Sequence, residues 1–220
     1  MADCLKLKDI RQKSGKQFIS GFTWRSVPFY AEIKRVIESE ILGKIISIEA
    51  NHLLSPAEGG YLMSNWTRKK SSVGSSLFET SCFEIDLLNW LIGDIPSKVA
   101  SFSGLNIYLP NNTPSSKSDL DPYLDWDAFP LDKSLSTNDP FSDDKDVHDN
   151  YAIILQYRNS VKVNFHINTN SAFPQKRLLI CGLDGTLEGN SYFFSFLLPI
   201  SLPHYLCFPF LLPHYSTQLR

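Results

Sequence analysis

The fold is decided by the stretch Tyr151-Ala-Ile-Ile-Leu-Gln-Tyr-Arg-Asn-Ser-Val-Lys-Val-Asn-Phe-His-Ile-Asn168. Apolar and polar side chains alternate strictly in its second half, and this period of two is typical of a strand with one buried face. The turn-forming residues Arg158-Asn-Ser160 separate two such runs, which predicts an antiparallel hairpin. His166 falls on the more polar face, where a structural role is expected rather than a ligand role.

The residues that follow the hairpin extend the same sheet. Two short apolar runs, Lys176-Arg-Leu-Leu-Ile-Cys-Gly182 and Thr186-Leu-Glu188, flank the turn signal Asp184-Gly185. They predict a second antiparallel pair of strands. The fold class is therefore α/β or α+β, with an open, mostly antiparallel sheet.

The residues before the hairpin supply helices for one face of this sheet. Apolar residues recur at helical spacing from Pro28 to the glycine at position 43, and again from Leu77 to Leu91. A strand is predicted after each helix, over Lys44–Leu54 and Ser97–Leu109. The polar, glycine-containing segment Ser55–Ser76 is predicted to be a loop.

Three segments lie outside this pattern. Residues 1–24 predict one helix, Leu5–Lys16, and one buried strand, Phe18–Trp24, which together suit the end of a larger α/β unit. Residues 110–147 are rich in Asp, Ser and Pro and predict an acidic surface loop inserted in the domain. Residues 191–220 form an atypical apolar tail with four prolines, which we expect neither to span a membrane nor to pack as a regular element.

The composition excludes several classes of function. The 220 residues are 43% hydrophobic with a formal net charge of -2, so no electrostatic footprint for nucleic acid or an anionic membrane is expected. The N-terminus is too charged for a signal peptide, which favours the cytoplasm. The four cysteines share no metal-ligand spacing, and the acidic segment lacks the spacing of a calcium loop, so no metal site is predicted.

An ordered series of short motifs indicates a family. The motifs are Gly21-Phe-Thr-Trp-Arg-Ser-Val-Pro28, Ser75-Ser-Leu-Phe-Glu79, Ile85-Asp-Leu-Leu-Asn-Trp-Leu-Ile-Gly-Asp-Ile-Pro96 and Arg177-Leu-Leu-Ile-Cys-Gly-Leu-Asp-Gly-Thr-Leu-Glu-Gly189. Over roughly residues 5–190 the chain resembles the GFO/IDH/MocA oxidoreductases. The resemblance implies that residues 1–24 match the C-terminal remnant of a Rossmann domain. It also implies that residues 25–190 form the substrate and dimerisation domain.

The resemblance further implies a set of site residues. The family carries an acidic residue followed four positions later by a His, and one helical turn places both side chains on one face. Here Glu79 matches the acidic residue, but Phe83 stands at the His position and cannot carry a proton. Arg25, Trp66 and Arg68 match positions near the cofactor or substrate. Asp86 matches a family residue on the same helix, where we expect it to fix the helix.

The same resemblance implies NAD or NADP as the cofactor of the family. This chain contains no Gly-x-Gly-x-x-Gly after a strand and no Glu-Lys-Pro motif, so we expect neither cofactor to bind it alone. The predicted function is that of an NAD(P)-dependent oxidoreductase acting on CH–OH groups of sugars or polyols, here truncated and inactive by itself. The alternative is a non-catalytic interaction module. Through the sheet it would form a homo-oligomer or pair with a full-length relative.

Overall fold

The computed structural model describes residues 2–116, 122, 139–142, 144–191, 195–200 and 206–211. The α-helices in this part of the chain are α1 (Ala2–Ser14), α2 (Pro28–Glu38), α3 (Pro56–Ser64), α4 (Lys70–Val73) and α5 (Ser76–Ile92). The strands are β1 (Ile45–Leu53), β2 (Pro96–Gly104), β3 (Asn150–Tyr157), β4 (Lys162–Asn168), β5 (Gln175–Gly182), β6 (Thr186–Asn190), β7 (Ser195–Ile200) and β8 (Leu206–Leu211).

The strands form one open, eight-stranded sheet in the order β2-β3-β4-β1-β5-β6-β7-β8. All neighbouring pairs are antiparallel except β1 and β4, which run parallel. The predicted hairpin is present as β3 and β4. Its turn is closed by the Ser160 amide, which donates to the Tyr157 carbonyl over 3.0 Å. The open, mostly antiparallel sheet is thus confirmed.

One face of the sheet carries the main core. In β4, Val163, Phe165 and Ile167 are buried while the alternate residues are exposed, so the period of two decides which face is covered. The covering residues come from α2 and α5. They include Phe29, Tyr30, Ile33 and Val36 from α2, and Leu87, Leu88 and Leu91 from α5. Each fully buried side chain of this kind stabilises the fold by about 1.5–3 kcal/mol.

Local sequence signals set the ends of α5. The Ser75 hydroxyl accepts from the Phe78 amide over 3.2 Å, which satisfies one free donor of the first turn. The helix ends at Gly93, whose φ of 71° is the left-handed conformation that glycine adopts without a steric penalty. The predicted helix Leu77–Leu91 is therefore confirmed to within one residue at each end.

A buried carboxylate anchors the connection between β2 and β3. Asp149 is fully buried and accepts hydrogen bonds from the backbone amides of Asn106, Ile107 and Tyr108. The Tyr108 hydroxyl then donates to the Thr169 carbonyl over 2.8 Å. A carboxylate with several amide donors is well satisfied even without solvent. This arrangement fixes residues 105–109 beside β4.

The ends of the predicted acidic loop, residues 110–147, are more ordered than expected. Phe141 and Val147 are buried and pack with Met63 and Tyr108 in a second apolar cluster. The expectation of a wholly solvated surface loop was therefore wrong for these described ends. Most of the segment, residues 117–121 and 123–138, lies outside the described residues.

The N-terminal strand prediction was also wrong. The helix is present as α1, but no strand follows it, and Phe18 and Ile19 are 62% and 83% exposed. An isolated strand has unsatisfied backbone groups on both sides, and none of the described strands pairs with this segment. It ends in a 3₁₀ turn, Thr23–Ser26, that leads into α2.

The segment predicted as the loop Ser55–Ser76 contains two helices instead, α3 and α4. At the start of α3, Ser55 and Glu58 form a reciprocal capping box, in which each side chain accepts from the other's backbone amide. Pro56 at the first helical position adds a favourable start. Gly59 is required in α3, since an added Cβ would lie 1.7 Å from the Thr169 carbonyl oxygen.

The described residues of the apolar tail form two strands, so the expectation that it would not pack as a regular element was wrong for residues 195–200 and 206–211. Strand β7 pairs with β6 over three residue pairs and with β8 over six. The two prolines in the described strands fit this arrangement, because Pro209 lies on β8, the last strand of the sheet, and Pro199 lies beyond the residues of β7 that pair with β6. No helix in the described part of the chain has the length and apolar character needed to cross a membrane.

Removal of residues 192–220 tests how much the tail strands contribute. The buried residues of the main core all precede position 188, so we expect a folded, cooperative domain. The truncation removes the three residue pairs between β6 and β7, which we expect to cost ~1 kcal/mol of stability. In a domain of this size such a loss lowers the melting temperature by about 2–4 °C. Removal of residues 212–220, which keeps both strands, is the matched control for thermal unfolding by circular dichroism. An unfolded 1–191 chain would contradict this expectation.

Candidate functional site

The N-terminal half of α5 presents the residues predicted from the family motif. Glu79 lies in the first turn and is exposed, and Phe83 follows one turn later. Tyr61 of α3 is close enough to respond to this carboxylate. Burial raises the pKa of the Tyr61 hydroxyl and the Glu79 charge raises it further, against a hydrogen bond to Asn65. The carboxylate therefore faces the surface between α5 and α3.

Phe83 lies in an aromatic cluster rather than beside a proton-carrying group. Its ring is stacked on Trp24 at 5.7 Å between centroids and meets Phe22 edge-on at 5.9 Å. Trp24 also stacks on Tyr30 of α2 at 5.6 Å. Such pairs contribute about 0.5–1.5 kcal/mol beyond the area they bury. The ring at the acid/base position of the family is thus part of the packing between α5 and the 3₁₀ turn.

Arg25 and Asp86 pair directly. The guanidinium of Arg25 donates through Nε and Nη2 to the two carboxylate oxygens of Asp86, over 2.7 and 2.5 Å. This bidentate contact raises the pKa of Arg25. It joins the 3₁₀ turn to the middle of α5, and it agrees with the prediction that Asp86 fixes the helix.

Trp66 and Arg68 lie on the short 3₁₀ segment Trp66–Arg68 between α3 and α4. Trp66 is 43% exposed. Arg68 directs Nη1 to the backbone carbonyls of Ser64 and Asn65, over 3.3 and 2.8 Å. In these contacts the guanidinium holds its own segment together. The structure thus places Glu79 and Phe83 on the N-terminal half of α5 and Arg25 beside the middle of that helix. Trp66 and Arg68 lie on the 3₁₀ segment between α3 and α4.

Beneath the aromatic cluster lies a buried polar pair that we did not predict from the sequence. His52 of β1 and Glu84 of α5 are both buried, and Nδ1 of His52 contacts Oε1 of Glu84. The contact lacks the alignment of a hydrogen bond, and among the described residues neither side chain has a hydrogen-bond partner. An ionisable pair in an apolar core is strongly disfavoured unless its groups are satisfied.

Lys176 completes this cluster. It lies directly across from His52 in the register of β1 and β5, and its Nζ sits 4.1 Å from the centre of the Trp24 ring. Burial lowers the pKa of the Lys176 amine, while the charges of Glu84 and Glu58 oppose that shift. Lys176 is partly exposed, whereas its two polar neighbours are not.

These side chains enclose a cavity of about 20 Å³. The residues of its lining that carry polar or aromatic groups include Trp24, Tyr30, His52, Glu84 and Lys176. The volume suits one water-sized group, such as a hydroxyl, and no larger ligand. Within the described ranges, no set of three or more His, Cys, Asp and Glu residues could hold a metal ion.

The described residues do not fit a nicotinamide dinucleotide. Such a cofactor places its pyrophosphate at a helix N-terminus that follows a glycine-rich turn. At the start of α3 the amides are already capped by Ser55 and Glu58, and the Glu58 carboxylate would repel a phosphate. At the start of α5 the Ser75 hydroxyl caps the first turn.

The sequence carried a signal for two members of the buried cluster, His52 and Glu84, although we did not predict the cluster. His52 is in phase with Ile48 and Ala50 on the buried face of β1, and Glu84 is in phase with Leu87, Leu88 and Leu91 on α5. Polar residues in an apolar stripe mark buried polar groups. Lys176 carried no such signal, because its position beside His52 depends on the register of two distant strands.

Comparison with known proteins identifies a family. The family model described as the GFO/IDH/MocA C-terminal domain matches residues 30–188. YteT of Bacillus subtilis (strain 168), an oxidoreductase by its name, is 22% identical over 91% of this chain and 54% of its own length. Inositol 2-dehydrogenase of Salmonella typhimurium (strain LT2) is 25% identical over 56% of this chain and 32% of its own length.

Solved structures show the same fold. Levoglucosan dehydrogenase in complex with NADH and levoglucosan superposes with a TM-score of 0.64 at 18% identity, covering 86% of this chain and 45% of that protein. A super-repressor mutant of Gal80p from Saccharomyces cerevisiae gives a TM-score of 0.68 at 16% identity. The match covers 96% of this chain and 50% of that protein. The chain thus spans about half the length of the proteins it resembles.

Proposed function

The chain belongs to the GFO/IDH/MocA oxidoreductase family through its C-terminal domain, and we propose that it forms the substrate side of a site that oxidises CH–OH groups of sugars or polyols. The observation that carries this proposal is the position of Glu79 and Phe83. Glu79 is exposed in the first turn of α5 and the half-buried Phe83 lies one turn later, at the positions where the family holds its acidic residue and its His. The bound substrate would lie over this end of the helix.

The neighbouring side chains have the chemistry that a polyol needs. Glu79 offers carboxylate oxygens that accept hydrogen bonds from hydroxyl groups, and Arg68 offers N–H donors on the adjacent segment. The exposed Trp66 ring provides an apolar surface for a sugar face. The related proteins support this substrate class, since one is named for inositol and another is described with bound levoglucosan.

We further propose that the chain alone does not bind NAD(H) or NADP(H). The starts of α3 and α5 support this, because Ser55 and Ser75 each cap a first-turn amide and the Glu58 carboxylate would repel a phosphate. A nicotinamide cofactor would supply the hydride chemistry of the family. The residues described in this chain would bind and orient the hydroxyl-bearing substrate.

A titration with NADH tests the cofactor proposal. We expect no saturable change in nucleotide fluorescence or heat of binding up to millimolar concentrations. Levoglucosan dehydrogenase, whose structure is described with NADH, is the positive control for the same titration. Saturable binding in the micromolar range would contradict the proposal.

A chimera tests the substrate-side function. It joins the part of levoglucosan dehydrogenase that this chain does not cover to the present chain, and its NAD-dependent oxidation of levoglucosan and inositol is measured. We expect a slow enzyme, because general acid/base groups contribute about 10²–10⁴-fold in rate and Phe83 cannot act as one. In the chimera, Phe83→His should raise kcat by about 10²-fold.

Phe83→Leu is the matched control in the chimera, since it changes the same ring without adding a titratable group. It should leave kcat low. Equal rates for the His and Leu variants would show that position 83 does not face the reacting hydroxyl. A chimera that folds and yet stays inactive with both variants would overturn the proposed function.

A second candidate function is an interaction module, and the open face of the sheet favours it. On β2 and β3, Phe102 and Ile154 are 82% and 56% exposed on the face opposite the one that α2 and α5 cover. Exposed large apolar side chains on adjacent strands are typical of a protein interface. The Gal80p structure, described as a super-repressor mutant, supports a role for this fold outside catalysis.

Self-association of the chain tests this candidate. We propose that two copies pair through the open face, so sedimentation velocity should show a dimer at micromolar concentration. Phe102→Glu should shift it to monomer, because a buried unpaired carboxylate is strongly disfavoured. Val99→Glu is the control, as Val99 is also exposed on β2 but points to the opposite face. A monomeric wild-type chain would contradict the pairing.

A further inference from the structure

The cavity between β1, α5 and β5 is bordered by side chains that need hydrogen-bond partners. His52 and Glu84 are 4% and 7% exposed, and none of their side-chain nitrogen and oxygen atoms has a hydrogen-bond partner among the described residues. In native proteins such buried atoms are almost always satisfied by protein groups or by an ordered water. The contact between Nδ1 of His52 and Oε1 of Glu84 can satisfy at most one atom of each side chain. The second carboxylate oxygen of Glu84 therefore needs another donor.

Lys176 borders the same cavity and carries donors, but it does not reach Glu84 directly. Among the described residues, the ion-pair partner of Glu84 is His52 and not Lys176, although the Glu84 charge acts on the amine. The amine lies on the face of the Trp24 ring, 4.1 Å from its centre. That contact and the carboxylate charges favour the ammonium form, against the lowering of the Lys176 pKa by burial. A donor and an acceptor that face one space without touching are commonly bridged by water.

The charges and the volume together define what the cavity can hold. The Lys176 ammonium disfavours a cation there, and the Glu84 carboxylate disfavours an anion. A neutral ligand has to donate to the carboxylate and accept from the ammonium, since neither group can play the other role. The volume of about 20 Å³ suits one water molecule, which needs roughly 10–15 Å³ and two to four polar partners.

We propose that this cavity is a binding site for one ordered water molecule, which donates to the Glu84 carboxylate and accepts from the Lys176 ammonium. The water joins two elements of the fold, because Glu84 lies on α5 and Lys176 lies on β5. It satisfies a buried carboxylate that the described protein groups leave without a hydrogen bond. The site requires neither substrate nor cofactor, so it does not rest on the proposed function.

The water also determines the state of His52. With one oxygen of Glu84 bound to water, the other oxygen is available to accept from the Nδ1–H group of the imidazole. A neutral imidazole beside one carboxylate and one ammonium leaves the buried group without net charge, which an apolar core requires. We therefore expect the proton of His52 on Nδ1 and none on Nε2.

A crystal structure of the full chain at a resolution of about 1.2 Å, where hydrogen positions begin to be visible, tests the site directly. We expect one electron-density peak in the cavity, about 2.7–3.2 Å from a carboxylate oxygen of Glu84 and from Nζ of Lys176. A direct ion pair between these two side chains would overturn the proposal, as would a cavity without a density peak.

A cavity-filling substitution tests the site in solution. Ala50 of β1 is 3% exposed and borders the cavity, so Ala50→Val adds methyl groups to it. Expulsion of a bound water would leave Glu84 and Lys176 without their partner, and the melting temperature should fall by at least about 2–4 °C. The matched background is the double variant Glu84→Leu/Lys176→Met, whose cavity offers no charged partner to a water. There Ala50→Val should leave the melting temperature unchanged or raise it.

The comparison of the two backgrounds separates loss of the water from steric strain, because overpacking would lower the melting temperature equally in both. Equal shifts would therefore contradict the proposal. A higher melting temperature for Ala50→Val in the otherwise unchanged chain would also contradict it, since filling a dry cavity stabilises a protein. If the double variant does not fold, the crystal structure decides the question.

Discussion

The packing of α5 on the sheet is the contact on which the site depends. Leu87, Leu88 and Leu91 are buried against the strands, and this fixes the rotation of the helix about its axis. Because residues three and four apart share a helix face, the same rotation carries Glu84 inward. The exposed Glu79 and the half-buried ring of Phe83 then lie on the N-terminal half of the helix. The apolar stripe of α5 therefore positions both the surface residues of the site and the buried polar residue Glu84.

The Arg25–Asp86 pair positions the 3₁₀ turn on the other side of the site. It ties the 3₁₀ turn to α5, and Trp24 is thereby held between Phe83, Tyr30 and the Lys176 amine. Its guanidinium is partly exposed, so the pair itself contributes about 1 kcal/mol or less to stability. Its importance lies in position, because it holds the turn that carries Trp24 against α5.

The periodicity of apolar residues was sufficient to predict the sheet and α5, but not the buried cluster of His52, Glu84 and Lys176. The alternation in β4 and the stripe of α5 each depend on neighbours a few residues apart, and both predictions were confirmed. Lys176 meets His52 only because β5 pairs with β1 in a particular register, and residues 124 positions apart carry no local signal of that pairing. The Phe18–Trp24 strand failed for the same reason, since a strand requires a partner that local sequence does not specify.

The two faces of the sheet allow the two candidate functions to coexist. The buried cluster of His52, Glu84 and Lys176 and the N-terminal half of α5 lie on the face covered by helices, whereas Phe102 and Ile154 project from the opposite face. A strand's alternate side chains point to opposite faces, so substitutions on one face leave the other unchanged. Pairing through the open face would leave the helix end accessible. Self-association would thus be compatible with substrate binding, and loss of one would not imply loss of the other.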